Sequence, residues 1–169
     1  MLKQIWDRSS VRSYSADPVS DEVIQEVLGA AFHAPTANNA RPWHIVVVRQ
    51  AATKAHLAKT HQWAAFCAQA PVVLAFCGDP AISEHWWIED CSAAVENAMI
   101  EAVNQGLGTC WVGCRGSGAT DTKREDYVRE ALGIPHGIRV LALVSLGYPA
   151  GATSPKEPGP MDAVHWESW

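Results

Sequence analysis

Charge is scarce in this chain. Only 18% of its 169 residues are Asp, Glu, Lys or Arg, and 13 basic side chains against 18 acidic ones give a formal net charge of −5. No basic run stands out, which argues against nucleic acid or an anionic membrane as partner. No stretch approaches the roughly 20 consecutive apolar residues of a bilayer-crossing helix. The opening MLKQIWDRSS also lacks the apolar core of a secretory signal. A cytoplasmic location is the expectation. Several enzyme signatures are missing too. No GxGxxG joins an early strand to a helix as in a Rossmann domain, no HExxH pairs histidines for zinc, and no GxSxG elbow presents a nucleophilic serine. Cys110 and Cys114 lie four apart, but no second pair completes a ligand set, so no metal site is expected.

What is present is a core. Hydrophobic residues make up 48% of a length suited to one compact domain, taken as residues 1–169. The eight tryptophans are many for this length and suggest a ligand pocket or a protein interface in addition to core. The five cysteines are odd in number and sit mostly within apolar segments, the pattern of buried free thiols in a reducing compartment.

Periodicity sets out the elements. Ser20 can cap a helix whose Val23, Ile24, Val27, Leu28 and Ala31 form one apolar stripe, ended by Pro35. HIVVV reads as a buried strand, followed by short helices around Ala52–Lys59 and Gln62–Gln69 and a second strand, PVVLAFC. Pro80 is expected to open a long helix that keeps its apolar period through Ile88, Cys91, Val95, Met99 and Ala102 to a cap at Gly106. A helix over Lys123–Leu132 and the strand RVLALVSLGYP follow. The tail, residues 150–169, is proline-rich, ends in Trp166 and Trp169, and reads as an extended arm. The sum is a mixed architecture of helices on a small sheet.

Three segments carry more chemistry than their local structure needs. DRSSVRSY sets Arg8 and Arg12 four apart with Ser9 and Ser10 between them, guanidinium forks and hydroxyls suited to an anion, or a solvated turn. APTANNARPWHIVVV supplies Asn38, Asn39 and Arg41, more hydrogen-bonding capacity than a turn requires, although a helix C-terminus followed by an Asn-rich turn would look the same. GLGTCWVG lets backbone approach a flat ligand, although its spacing fits no phosphate-loop motif and a helix cap running into a strand would look the same.

Taken together, IWDRSSVRSY, APTANNARPWHIVVV, GLGTCWVG and KEPGPMDAVHWESW occur in an order and spacing that resembles the nitroreductase family of FMN-dependent oxidoreductases, over nearly the whole chain. The resemblance implies an α+β sandwich: a mostly antiparallel sheet flanked by helices, with a long central helix at a homodimer interface. It also implies FMN at that interface and a C-terminal arm exchanged with the partner. Arg8, Ser9, Ser10 and Lys156 would hold the FMN phosphate and ribityl chain. Arg12 would stand near the pyrimidine edge, and Pro35, Thr36, Asn38, Asn39 and Arg41 would line the flavin. The backbone N–H groups of Val112 and Gly113 would face its N5 and O4 side. Trp43, Phe66, Trp86 and Trp87 are the candidate substrate-pocket residues.

The implied activity is ping-pong electron transfer from NADH or NADPH to nitroaromatics, quinones or similar acceptors. A reductase or dehydrogenase dedicated to one metabolite, and a flavin-binding protein with little turnover, are alternatives on the same fold. This chain departs from the family pattern in three places. Ser9 stands where many relatives have a second arginine, Pro158 and Gly159 occupy the place of a tail arginine, and Arg41 replaces a common glutamine. Weaker FMN binding than usual is the resulting expectation.

Overall fold

A computed structural model describes residues 1–116, 122–155 and 157–169. Its helices are α1 (Lys3–Asp7), α2 (Asp21–Phe32), α3 (Ala51–Leu57), α4 (Trp87–Asn104) and α5 (Lys123–Leu132). Its strands are β1 (Trp43–Val48), β2 (Val72–Gly78), β3 (Gly108–Gly113) and β4 (Arg139–Gly147), with single 3-10 turns at Ala37–Asn39, Ala65–Ala68 and Met161–Ala163.

The four strands form one antiparallel sheet in the order β1-β2-β4-β3. Both central strands are buried along nearly their whole length, which is why PVVLAFC and RVLALVSLG read as unbroken apolar runs without alternation. On one face α2 and α4 pack against Leu74, Phe76 and Val144. On the other, α3, α5 and the Ala65–Ala68 turn cover Val73, Ala75 and Leu143. The α+β sandwich expected from the resemblance is the architecture found.

Local signals account for the boundaries. The Ser20 side chain accepts from Val23 N–H at 3.3 Å and caps α2. Gly133 ends α5 at φ 63°, a conformation that costs glycine little. Two expected boundaries move. The long helix starts at Trp87 instead of near Pro80, because Asp79 closes a turn first, accepting from Ala81 N–H on its side chain at 2.8 Å. The expected helix around Gln62–Gln69 shortens to the turn at Ala65–Ala68. Beyond Pro149 the described tail is exposed, with Trp166 and Trp169 almost fully in solvent, and its one regular piece is the turn at Met161–Ala163. Among the described residues no helix is long and apolar enough to cross a membrane.

Candidate functional site

The segment before α2 is laid onto the open edge of the sheet. Ser10 makes a parallel bridge to Thr109, and Val11 N–H donates to the Thr109 carbonyl at 2.8 Å. Gly108 permits this approach, since a Cβ there would lie 2.5 Å from Val11 Cγ2. Tyr14 fixes the other end of the segment. Its buried hydroxyl donates to the Val11 carbonyl at 2.6 Å and sits 2.6 Å from Ser145 Oγ on β4. Burial pushes the Tyr14 phenol well above its ordinary range, so it stays a protonated donor at every working pH.

Two hollows flank the segment, and Arg12 lines both. The larger, about 500 Å³, is edged by the hydroxyls of Ser9, Ser10, Ser13, Thr153 and Ser154. The smaller, about 210 Å³, brings Arg12 together with Phe66, Val112 and Gly113. There the Arg12 guanidinium carbon lies 5.9 Å from the centre of the Phe66 ring. Arg8 is directed elsewhere, with Nε 3.8 Å from the Glu96 carboxylate on α4. Lys156 lies outside the described residues.

The ladder separates the two backbone N–H groups singled out in the sequence. Cys114 N–H bonds inward to Leu141, and the Thr109 carbonyl accepts from outside the sheet. Hydrogen-bond direction alternates along an antiparallel strand. Val112, opposite Leu143, therefore directs its N–H into the sheet, while Gly113 turns its N–H to the open edge. Only Gly113 can offer that donor to a ligand.

The asparagine loop is built differently. Asn38, Asn39 and Arg41 all take left-handed backbone conformations, at φ 52°, 55° and 52°. Asparagine tolerates this, but arginine seldom adopts it, and such residues persist only where their surroundings hold them. Here Arg41 N–H donates to Thr36 Oγ1 at 3.2 Å, and Arg41 Nε donates to Asn39 Oδ1 at 3.0 Å. Asp90, buried in the first turn of α4, accepts from Ala37 N–H at 2.8 Å and from the Ser83 hydroxyl at 3.0 Å. The loop is thus moored to the long helix. Pro35, Thr36 and Trp86 line a third hollow that shares no residue with the two beside Arg12.

Residues 5–65 and 58–148 match the nitroreductase family. The chain is a member of that family. A nitroreductase-family relative from Archaeoglobus fulgidus, provisionally named NADH dehydrogenase/NAD(P)H nitroreductase, is 36% identical across 99% of this chain and 98% of its own. The FMN reductase [NAD(P)H] of Bacillus subtilis is 26% identical over 100% of this chain and 74% of that protein. Among solved structures, the FMN-dependent nitroreductase of Clostridium difficile R20291 superimposes with a TM-score of 0.93 at 26% identity, covering both chains fully.

Two of the tryptophans considered as pocket walls serve the core instead. Trp87 is 4% exposed and Trp43 is 9% exposed, both in the cluster between the sheet and α2 and α4, and Trp43 stacks on Phe32 at 6.2 Å. Burial against the sheet removes them from a ligand's reach. Phe66 and Trp86 do face hollows. Sequence reasoning missed Tyr14, Ser145 and Asp90. Asp90 carried one signal, an acid in the first turn of a helix, and nothing local told it from Glu89.

Proposed function

We propose that the chain is an FMN-dependent oxidoreductase that takes electrons from NADH or NADPH and delivers them to nitroaromatics, quinones or similar acceptors. The observation that carries this reading is the convergence of Ser9, Ser10, Arg12 and the Gly113 edge of β3 on adjoining hollows. That donor set fits FMN: hydroxyls and a guanidinium for the phosphate and ribityl groups, and a strand edge beside a cation for the flat ring. When bound, FMN supplies the chemistry, accepting hydride at N5 from a nicotinamide and passing electrons on to the acceptor.

The protein's own part is binding and electrostatics. Ser9 and Ser10, with Lys156, hold the phosphate end, and Arg8 joins them only by exchanging its Glu96 partner for the phosphate. Arg12 sets a positive charge where negative charge accumulates on a reduced ring and makes reduction easier. Gly113 donates its edge N–H. The asparagine loop, with Asn38 and Asn39 held in place by Asp90, presents amide groups to the flavin. The Arg12 hollows and the asparagine-loop hollow have no residue in common, so in this reading a second copy of the chain completes each site. A homodimer would also cover the exposed Trp166 and Trp169 of the tail. Five buried free thiols suit a reducing, cytoplasmic setting.

The deciding experiment is an absorption spectrum of the purified protein, taken before and after anaerobic addition of NADH or NADPH. Flavin bands that bleach with either donor are expected, and Arg12→Ala should slow the bleaching. A colourless protein that fails to take up added FMN would remove the assignment.

A further inference from the structure

The chain has eight arginines. Arg8, Arg49, Arg129 and Arg139 each meet a carboxylate, from Glu96, Asp21, Asp126 and Glu125 respectively. Among the described residues Arg12, Arg41, Arg115 and Arg124 have no such partner; Arg41 donates to Asn39 Oδ1 instead, and the other three line the same hollow of about 210 Å³. Among the described residues no carboxylate lines it. His61 is there as well, and its Nδ1 accepts from Trp63 N–H at 3.1 Å, which leaves the proton of the neutral ring on Nε2 as a further donor.

Among the described residues neither added arginine has a structural task that explains its charge. Arg124 sits in the first turn of α5, where the helix dipole disfavours a cation. Arg115 rests over the Trp87 ring, 5.9 Å from its centre, and Arg139 lies 5.3 Å from the same centre. That contact holds the Arg115 head without neutralising it. In a chain of formal charge −5, three guanidiniums with no carboxylate partner among the described residues, set around one concave space, form a local field of opposite sign, which concentrates anions.

We propose that Arg115 and Arg124 form an anion-recognition site beside Arg12, taking a phosphate or carboxylate group carried by the electron donor or the electron acceptor. The inference rests on the FMN-oxidoreductase reading for what either substrate does. The anion has two sources, the 2′-phosphate of NADPH or an acid group on the electron acceptor. Either would be met by bidentate guanidinium contacts that a neutral counterpart cannot use.

The test compares the wild type with R115Q/R124Q and with the charge-retaining R115K/R124K. One kcat/KM ratio is NADPH over NADH, with menadione as acceptor. The other is 4-nitrobenzoate over 4-nitrobenzamide, with NADH as donor. In R115Q/R124Q a tenfold or greater fall in the first ratio supports the site and assigns it to the donor; the same fall in the second assigns it to the acceptor. The lysine pair should keep most of the wild-type preference. Ratios within twofold of wild type in both comparisons would overturn the proposal. Calorimetry with inorganic pyrophosphate reads the site without turnover. Binding weakened tenfold in R115Q/R124Q supports it even if the wild type neither binds flavin nor oxidises NAD(P)H, a result that would defeat the oxidoreductase reading alone. Pyrophosphate binding that is undetectable in the wild type, or equal in both proteins, counts against the anion site itself.

Discussion

Tyr14 illustrates what a single side chain does here. Its hydroxyl satisfies the buried Val11 carbonyl and adjoins Ser145 Oγ, which in turn donates to the Cys110 carbonyl at 3.4 Å. The segment carrying Ser10 and Arg12 is thereby tied to the two strands on its open side. Tyr14→Phe keeps the ring and leaves the Val11 carbonyl without its donor, a loss of about 1 to 3 kcal/mol. Chemical denaturation should register that loss, and FMN should dissociate faster from the variant. Unchanged stability and unchanged FMN affinity would show that the segment holds its shape without the hydroxyl. At this scale residue chemistry was readily legible in the sequence and partners hardly at all. Arg8, Arg12 and the asparagines stood out because their hydrogen-bonding capacity exceeded what a turn uses. Tyr14 did not, because its value lies in a contact with Ser145, 131 positions away.

Among the elements, α5 is latched to β4 by one buried carboxylate. Glu125, 1% exposed, accepts from Arg139 Nη2 at 2.9 Å and from Val140 N–H at 3.1 Å. The hydrogen bond to Glu125 also holds the Arg139 guanidinium above its ordinary pKa. Removing one member of a buried pair strands the other. Glu125→Ala should therefore cost about 3 kcal/mol, the lower end of the usual range for a buried pair, because Arg139 keeps a third of its side chain in water. Thermal unfolding checks this, with Glu125→Gln expected to recover part of the loss. The helix itself was readable from its apolar period and from Gly133. That Glu125 faces inward was not readable, since it stands in a run of charged residues that looks like a solvated surface.

Across the whole molecule the thiols set an alkaline limit. Cys67, Cys77, Cys91 and Cys114 are buried, and burial pushes each up to about 12 from an ordinary value of 9. Below pH 9 folded and unfolded chains both keep these protons, and the stability associated with them is fully present. Between pH 9 and 12 the unfolded chain releases protons that the folded chain retains, so stability falls as pH rises. The melting temperature should drop steadily over that window, and Cys67→Ala should flatten the slope. At pH 8 the native protein should react with a thiol reagent far more slowly than the denatured one, because the thiolate is the reactive form. Prompt native labelling of all five cysteines would contradict this picture.

By itself the sequence determined the elements and the chemistry of the loops between them. Hydrophobic period, caps and turn residues act over a few positions, so Ser20, Gly133 and the apolar runs of β2 and β4 could be read directly. Tertiary structure decided which residues meet. Sheet order and register brought Ser10 to Thr109, turned the Gly113 N–H outward and the Val112 N–H inward, and buried Trp43 and Trp87 while leaving Phe66 and Trp86 facing hollows. Those outcomes depend on contacts between distant segments packed at fixed spacing, and no local pattern of residues encodes such distances.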